Sequence, residues 1–174
     1  MKPLFTAFSN YNRRANKIIG DFIENMTEEQ FSTETVTYFP TVISNIIHVL
    51  ESDLRWVHRL KEFSEPSVKE DAVELITKDR DRHSLFKKRN EILQLRYVLD
   101  GDIQRLVSSI SDFSSDFDIP FGDRNLVLTA WKLILQWFNH QTHHRGQVSV
   151  LLDIRGIDND YSLMLDKIDG EDNG

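Results

Sequence analysis

Apolar residues recur at helical spacing in four long stretches of the chain, and each stretch predicts an amphipathic helix. The first runs from about Leu4 to Met26, with Phe8, Tyr11, Ala15, Ile18, Ile19, Phe22 and Met26 on its apolar side. Thr27 and Gln30 then stand in capping-box register and open a short turn. Phe31 to Phe39, rich in Thr, Val and aromatics, reads as extended, and Pro40 marks a boundary. The second helix spans about Thr41 to Phe63, with Ile43, Ile46, Ile47, Leu50, Leu54, Val57 and Leu60 as its stripe. A linker through Ser64, Pro66 and Ser67 follows, with room for a helical turn before Arg82. The third helix covers about His83 to Ile110, and Gly101 inside it marks a weak point. A loop from Ser111 to Gly122 leads to the fourth helix, about Asn125 to Ile154, which ends near Gly156. A helical turn around Tyr161 to Lys167 and a frayed tail close the chain. Four amphipathic helices with few strand signals predict an all-α helical bundle, one domain over residues 1–174, and the long connections permit crossovers.

Composition changes this picture little. The 174 residues and the 40% hydrophobic content suit one globular domain. No apolar run reaches the length of a membrane span, and Met1 to Asn16 has no signal-peptide core, so a cytoplasmic protein is expected. Cysteine is absent, which removes disulfides, thiolate metal sites and cysteine nucleophiles. The net charge of −7 gives no footprint for nucleic acid, and the basic clusters Arg13-Arg14 and Lys87-Lys88-Arg89 read as solvated helix faces.

The candidate chemistry is histidine. Three of the six histidines fall in Asn139-His140-Gln141-Thr142-His143-His144. A helix advances ~100° per residue, so His140 and His144 share one face, ~40° apart. They also share a seam with Ala130, Leu133, Trp137, Gln147 and Leu151, the side that a helix turns toward its neighbours. Two imidazoles in such a seam must be hydrogen-bonded, solvated in a pocket or bound to an ion, and their stacking favours an ion. His143 competes as a partner of His140, but its own stripe, through Gln136, Asn139 and Gln147, is more polar. His48 lies with Thr41, Ser44, Asn45, Ser52 and Arg55, opposite the apolar arc of its helix, and periodicity alone would leave it on the surface. Imidazole ligation suits zinc, nickel, copper or iron.

Other groups have ordinary readings. Asp53 is ~140° around the helix from His48 and reads as a structural ion-pair partner, not a ligand of the same ion. Trp56, Trp131 and Trp137 read as core, Asn12 and Asn16 as a solvated pair, and Arg145 as a surface charge or salt-bridge partner. His58 and His83 have no second ligand at useful spacing. No catalytic residue is identifiable, and no organic cofactor motif occurs.

The stretch His140-Gln141-Thr142-His143-His144-Arg145-Gly146-Gln147 resembles the histidine-rich helix of the DinB family, within the DinB/YfiT-like superfamily. His48, Asp53, Trp56 and His58 stand at the offsets of that family's second helix. Tyr11-Asn12-Arg13-Arg14-Ala15-Asn16 resembles its first-helix signature, with Arg14 where an aromatic is common. The resemblance implies a four-helix bundle of up-down-down-up order and a divalent metal, zinc or nickel foremost, held by His48, His140 and His144. It also implies that the polar stripe of His48 lines a pocket between helices. Superfamily members often form homodimers, and some are transferases or isomerases that use low-molecular-weight thiols. The expected function is a metal-dependent enzyme with an open coordination position, a thiol-dependent transferase or a hydrolase acting on a small molecule. The alternative is a non-catalytic stress-response or binding module with a structural or vestigial metal site.

Overall fold

A computed structural model describes residues 1–164 apart from 70, 72, 73, 75, 77, 80 and 122. The molecule is mostly helical, with one small two-stranded sheet among the described residues. The long elements are α1 (Lys2–Asn25), α3 (Val42–Arg59), α5 (Arg89–Ser109) and α6 (Ala130–Ile154). Two short helices, α2 (Glu28–Ser32) and α4 (Arg82–Lys87), and the strands β1 (Asp116–Phe121) and β2 (Arg124–Thr129) are the other elements whose bounds lie among the described residues. No described helix is long and apolar enough to cross a membrane.

Local chemistry sets the boundaries. Thr27 and Gln30 cap α2 reciprocally, and Thr41 and Ser44 do the same for α3, so two orphan donors are satisfied at each start. At the far end of α6, Gly156 takes φ +69°, a left-handed conformation that a side chain would strain. The Gly156 and Ile157 amides then bond back to the Asp153 and Leu152 carbonyls and close the helix.

Four expectations change. The loop expected from Ser111 to Gly122 contains β1, and the first residues expected in the fourth helix form β2, so α6 begins at Ala130. The strands pair antiparallel, Asp116 with Thr129 through Phe121 with Arg124. Exposure alternates along both, with Phe117, Ile119, Leu126 and Leu128 turned inward, a period of two that overrides a helical reading. The third helix breaks at Lys88, not at Gly101, which lies within continuous α5. The break lets α4 fold onto α2, where Phe86 meets Phe31 edge to face and His83 pairs with Glu28 at 2.5 Å. Phe31 to Phe39 forms no strand: α2 continues through Ser32, and a bent loop follows in which Thr35 and Thr37 bond locally. Tyr161 to Met164 is not helical, and the rest of that expected turn, with the tail, lies outside the described residues.

The long helices pack in antiparallel pairs. α1 lies against α5, with Asn16 bonded to Asp100 and Arg13 to Gln104. Gly20 permits the close approach, since a Cβ there would overlap the Tyr97 hydroxyl. α3 lies against α6, and α1 runs beside α6, with Phe8 stacked on Phe138. Ala15, Leu50, Leu99, Ile103, Leu106, Ile134, Trp137 and Leu152 fill the shared core.

That core is not wholly apolar. Asp53 is fully buried, and its carboxylate accepts bonds from Trp137 Nε1 at 2.6 Å, Gln141 Nε2 at 2.9 Å and Arg96 Nη1 at 2.5 Å. Arg96 also donates to Asp100 Oδ1 at 2.7 Å. Burial pushes the Asp100 carboxyl up to about 6, against the pull of Arg96 and Asn16, and its second oxygen has no partner. The structural ion pair read for Asp53 is therefore present. Asn12 and Asn16 are buried, not solvated, and Arg145 is buried with its guanidinium on Asn12 at 2.7 Å and over the Tyr11 ring at 5.0 Å. None of the three could be placed from helical phase, because each sits where two helices meet.

Replacing Asp53 by Ala leaves Arg96, Trp137 Nε1 and Gln141 buried without their acceptor. The expected loss, read by urea denaturation, is on the order of 3–5 kcal/mol. Asp100→Asn should cost clearly less at neutral pH, because it removes a charge that burial already disfavours while keeping an acceptor for Arg96 and Asn16. Equal losses in the two variants would place the hub elsewhere.

Candidate metal centre

α3 and α6 face each other along a polar seam that runs from Asp53 toward the start of α3. Asp53 meets Trp137 and Gln141, His48 meets His140, and Asn45 meets His144. The order follows from antiparallel packing: eight residues back along α3, from Asp53 to Asn45, go with seven forward along α6, from Trp137 to His144. The fixed phase of these helices brings one imidazole from α3 between two from α6.

One nitrogen from each of His48, His140 and His144 lies within 4.8 Å of the others. The His48 and His140 Nε2 atoms are 3.2 Å apart, and the ring centroids of His140 and His144 are 4.4 Å apart. His144 is buried, and the other two are partly buried. Its Nδ1–H donates to Asn45 Oδ1 at 2.9 Å, which leaves Nε2 with a free lone pair. Phe39 covers the rings, stacked on His48 at 4.3 Å and edge-on to His144 at 5.4 Å.

The three rings are held neutral. Burial pushes His144 down to about 4, with His140 and His48 adding repulsion. Burial also lowers His48, aided by His140, and lowers His140 despite the opposing field of Asp53. The His140 Nδ1 is buried without a hydrogen-bond partner. Three neutral imidazoles with converging lone pairs and an orphaned ring nitrogen form a donor set that fits a divalent transition-metal ion.

The other histidines do not share in this cluster of nitrogens. His143 is exposed and accepts from Gln147 Nε2 at 3.1 Å while its ring touches the edge of His144. His58 bonds to the Val68 carbonyl at 3.1 Å, and His83 pairs with Glu28. Trp137 is fully buried, and Trp56 stacks on it at 6.3 Å. Sequence reasoning did not pick out Asn45 or Phe39. Asn45 carried a usable signal, since it stands one turn before His48 on the same polar stripe. Phe39 carried none, because its place depends on an irregular loop. Beside His48 a cavity of about 260 Å³ opens, lined by Phe39, Ser44, Ile47, Glu51 and Arg82 among others.

Two outcomes follow from this geometry. A depressed histidine pKa means that the unfolded chain takes up the proton first. The metal-free protein should therefore lose stability as pH falls from 6.5 toward about 4. Denaturant melts in the presence of chelator should show that slope in the parent chain and a shallower one in His144→Gln. Asn45→Ala removes the partner that orients His144 and should weaken metal affinity about 10- to 100-fold, read by competition with a chromophoric chelator. An unchanged affinity would remove Asn45 from the site.

Comparison with known proteins agrees with this arrangement. The family model described as DinB family matches residues 1–166. Protein DinB of Bacillus subtilis (strain 168) is 27% identical over 173 aligned residues, covering 89% of this chain and 90% of the relative. With the family model matched along nearly the whole chain, and the three histidines gathered between two of its helices, the protein belongs to the DinB family.

Proposed function

We propose that the chain is a metal-dependent enzyme in which His48, His140 and His144 hold one divalent ion, zinc or nickel, and leave a coordination position for a small-molecule substrate. The observation that carries this reading is the convergence of the three neutral rings, with one nitrogen of each inside 4.8 Å. Three protein ligands with a further position open is the arrangement of catalytic, not closed structural, sites. A divalent ion there would act as a Lewis acid and favour the deprotonated form of a water or a thiol. The protein's own residues supply the rest. Asn45 holds the His144 ring in one tautomer, Phe39 excludes water from the rings, and the cavity beside His48 receives the substrate. The chain has no cysteine, so a thiol in the reaction would be a diffusible one of low molecular weight. The reaction is a thiol-dependent transfer or a hydrolysis.

The wider proposal follows the family. The antiparallel pairs α1–α5 and α3–α6, with α1 parallel to α6, support an up-down-down-up four-helix bundle. We take the protein to be a cytoplasmic homodimer that uses no nucleic acid, the last supported by its net charge of −7. A second reading, a non-catalytic stress-response or binding module with a structural or vestigial metal, draws on one observation. The non-histidine side chains described in contact with the three rings include Asn45 and Phe39, neither an acid nor a base.

Elemental analysis should find roughly one divalent ion per chain, as a three-ligand site holds, and His140→Ala should lose it. Turnover by zinc- or nickel-loaded protein only with an added thiol supports transfer, and turnover without thiol supports hydrolysis. A stability loss in His144→Ala with no activity in any loaded form favours the second reading. Protein that binds no divalent ion ends both.

A further inference from the structure

The position of Phe39 gives it more to do than shield the rings from water. Its ring lies flat on His48 at 4.3 Å and meets His144 edge-on at 5.4 Å. It is also a wall shared by two cavities. One, of about 260 Å³, is bordered by His48 and carries Ser44, Glu51, Asp79 and Arg82. The other, of about 150 Å³, lies between Tyr38, Val150 and Leu151, with Asn45 and Gln147 at its inner side. The first is about half polar and carries charged groups, the second is mostly apolar, and the three-histidine group lies against the ring that separates them.

The segment that carries Phe39 is tied to itself. The Thr35 amide and hydroxyl bond to the Pro40 carbonyl, and the Thr37 hydroxyl bonds to the Phe39 carbonyl. From Val36 to Phe39 no hydrogen bond among those described reaches a helix. Val36 and Tyr38 project into solvent, at 106% and 90% exposure. The ring of Phe39 touches the Tyr38 ring at 4.8 Å and the imidazoles of His48 and His144, and the imidazole contacts are the ones an entering ligand would replace.

We propose that Phe39 is the specificity-determining residue of the three-histidine centre. Its ring covers His48 and His144, and its displacement joins the two cavities into one elongated site. The ligand class that fits is bipartite: a polar or charged end beside Ser44, Glu51 and Arg82, and a narrow apolar end between Tyr38, Val150 and Leu151. This rests on the metal-dependent reading for its purpose, but the role of the ring stands on the metal-free geometry and is tested there.

Metal-free protein, kept in chelator, is treated with diethyl pyrocarbonate, and modified histidines are mapped by mass spectrometry over time. In the parent chain His48 and His144 should react slowly and exposed His83 quickly. Phe39→Ala should speed His48 and His144 about tenfold, as removal of a packed cover would, and leave His83 unchanged. Phe39→Leu, which keeps an apolar side chain and the fold, should fall between. Equal rates at His48 and His144 in all three proteins overturn the proposal whether or not the protein binds metal. A parallel change at His83 reports general loosening and overturns it as well. In cobalt-loaded protein, visible spectra give the affinities of imidazole and phenylimidazole. Phe39→Ala should favour phenylimidazole by about tenfold relative to the parent, since the vacated volume accepts the phenyl ring. An unchanged ratio overturns the size selection. Absence of cobalt binding sinks the enzymatic reading instead, and the modification rates still decide the role of Phe39.

Discussion

Asp53 places a carboxylate at the centre of the helical packing, and the neighbouring helices are arranged around the need to satisfy it. Three donors reach it, Arg96 from α5 and Trp137 and Gln141 from α6. A carboxylate left unpaired in such a place would cost several kcal/mol, so any sliding or rotation of α6 against α3 that broke these bonds would be strongly opposed. The same bonds therefore set the register of α3 on α6. That register decides whether His48, five residues before Asp53, meets His140 and His144 or passes them by. The three-histidine group is positioned by a residue that does not touch it.

The electrostatics of the seam follow from the same arrangement. Asp53 opposes the lowering of the His140 and His48 pKa, yet burial and the mutual repulsion of the rings prevail, and all three imidazoles stay neutral. Neutral rings are what a cation requires, because a protonated imidazole offers no lone pair. Asn45 completes the set by accepting a hydrogen bond from the Nδ1–H of His144. The balance is one of degree. A carboxylate in direct contact with a ring would raise its pKa and favour imidazolium, whereas one held by Arg96, Trp137 and Gln141 directs its acceptor capacity away from the rings.

Much of this was legible in the chain. Helical phase placed Leu50, Leu54, Val57 and Leu60 in the core, and the four-residue spacing of His140 and His144 put both rings on one face. The capping pairs Thr27–Gln30 and Thr41–Ser44 support their helices, although only the first was read in advance. What failed has a common cause. The phase of one helix reports a single apolar arc, and Asn12, Asn16, His48 and Arg145 lie at the edges of such arcs, where a second and third helix bury them. Only the family resemblance brought His48 into the site. The hairpin was missed because Leu126, Val127 and Leu128 satisfy a helical pattern as well as a strand one over so short a run, while Lys88 breaks a helix without any glycine or proline signal.

The interior polar groups also explain where this fold is least settled. His140 Nδ1, Arg145 Nε and Asn12 Nδ2 are all buried without partners, and all belong to the region where α6 meets α3 and α1. A buried donor without an acceptor costs about 1–3 kcal/mol, so their proximity is energetically unfavourable as the protein stands alone. Structures built for packing alone place leucine in such positions, as α6 does at Leu133, Leu151 and Leu152. Asp100 Oδ2 and Arg96 Nε, on α5, lack partners as well, so this cost is spread along the polar interior and is not confined to the histidines. An ion at the rings would answer only the part of it that the histidines carry, and the register set by Asp53 does not depend on that ion.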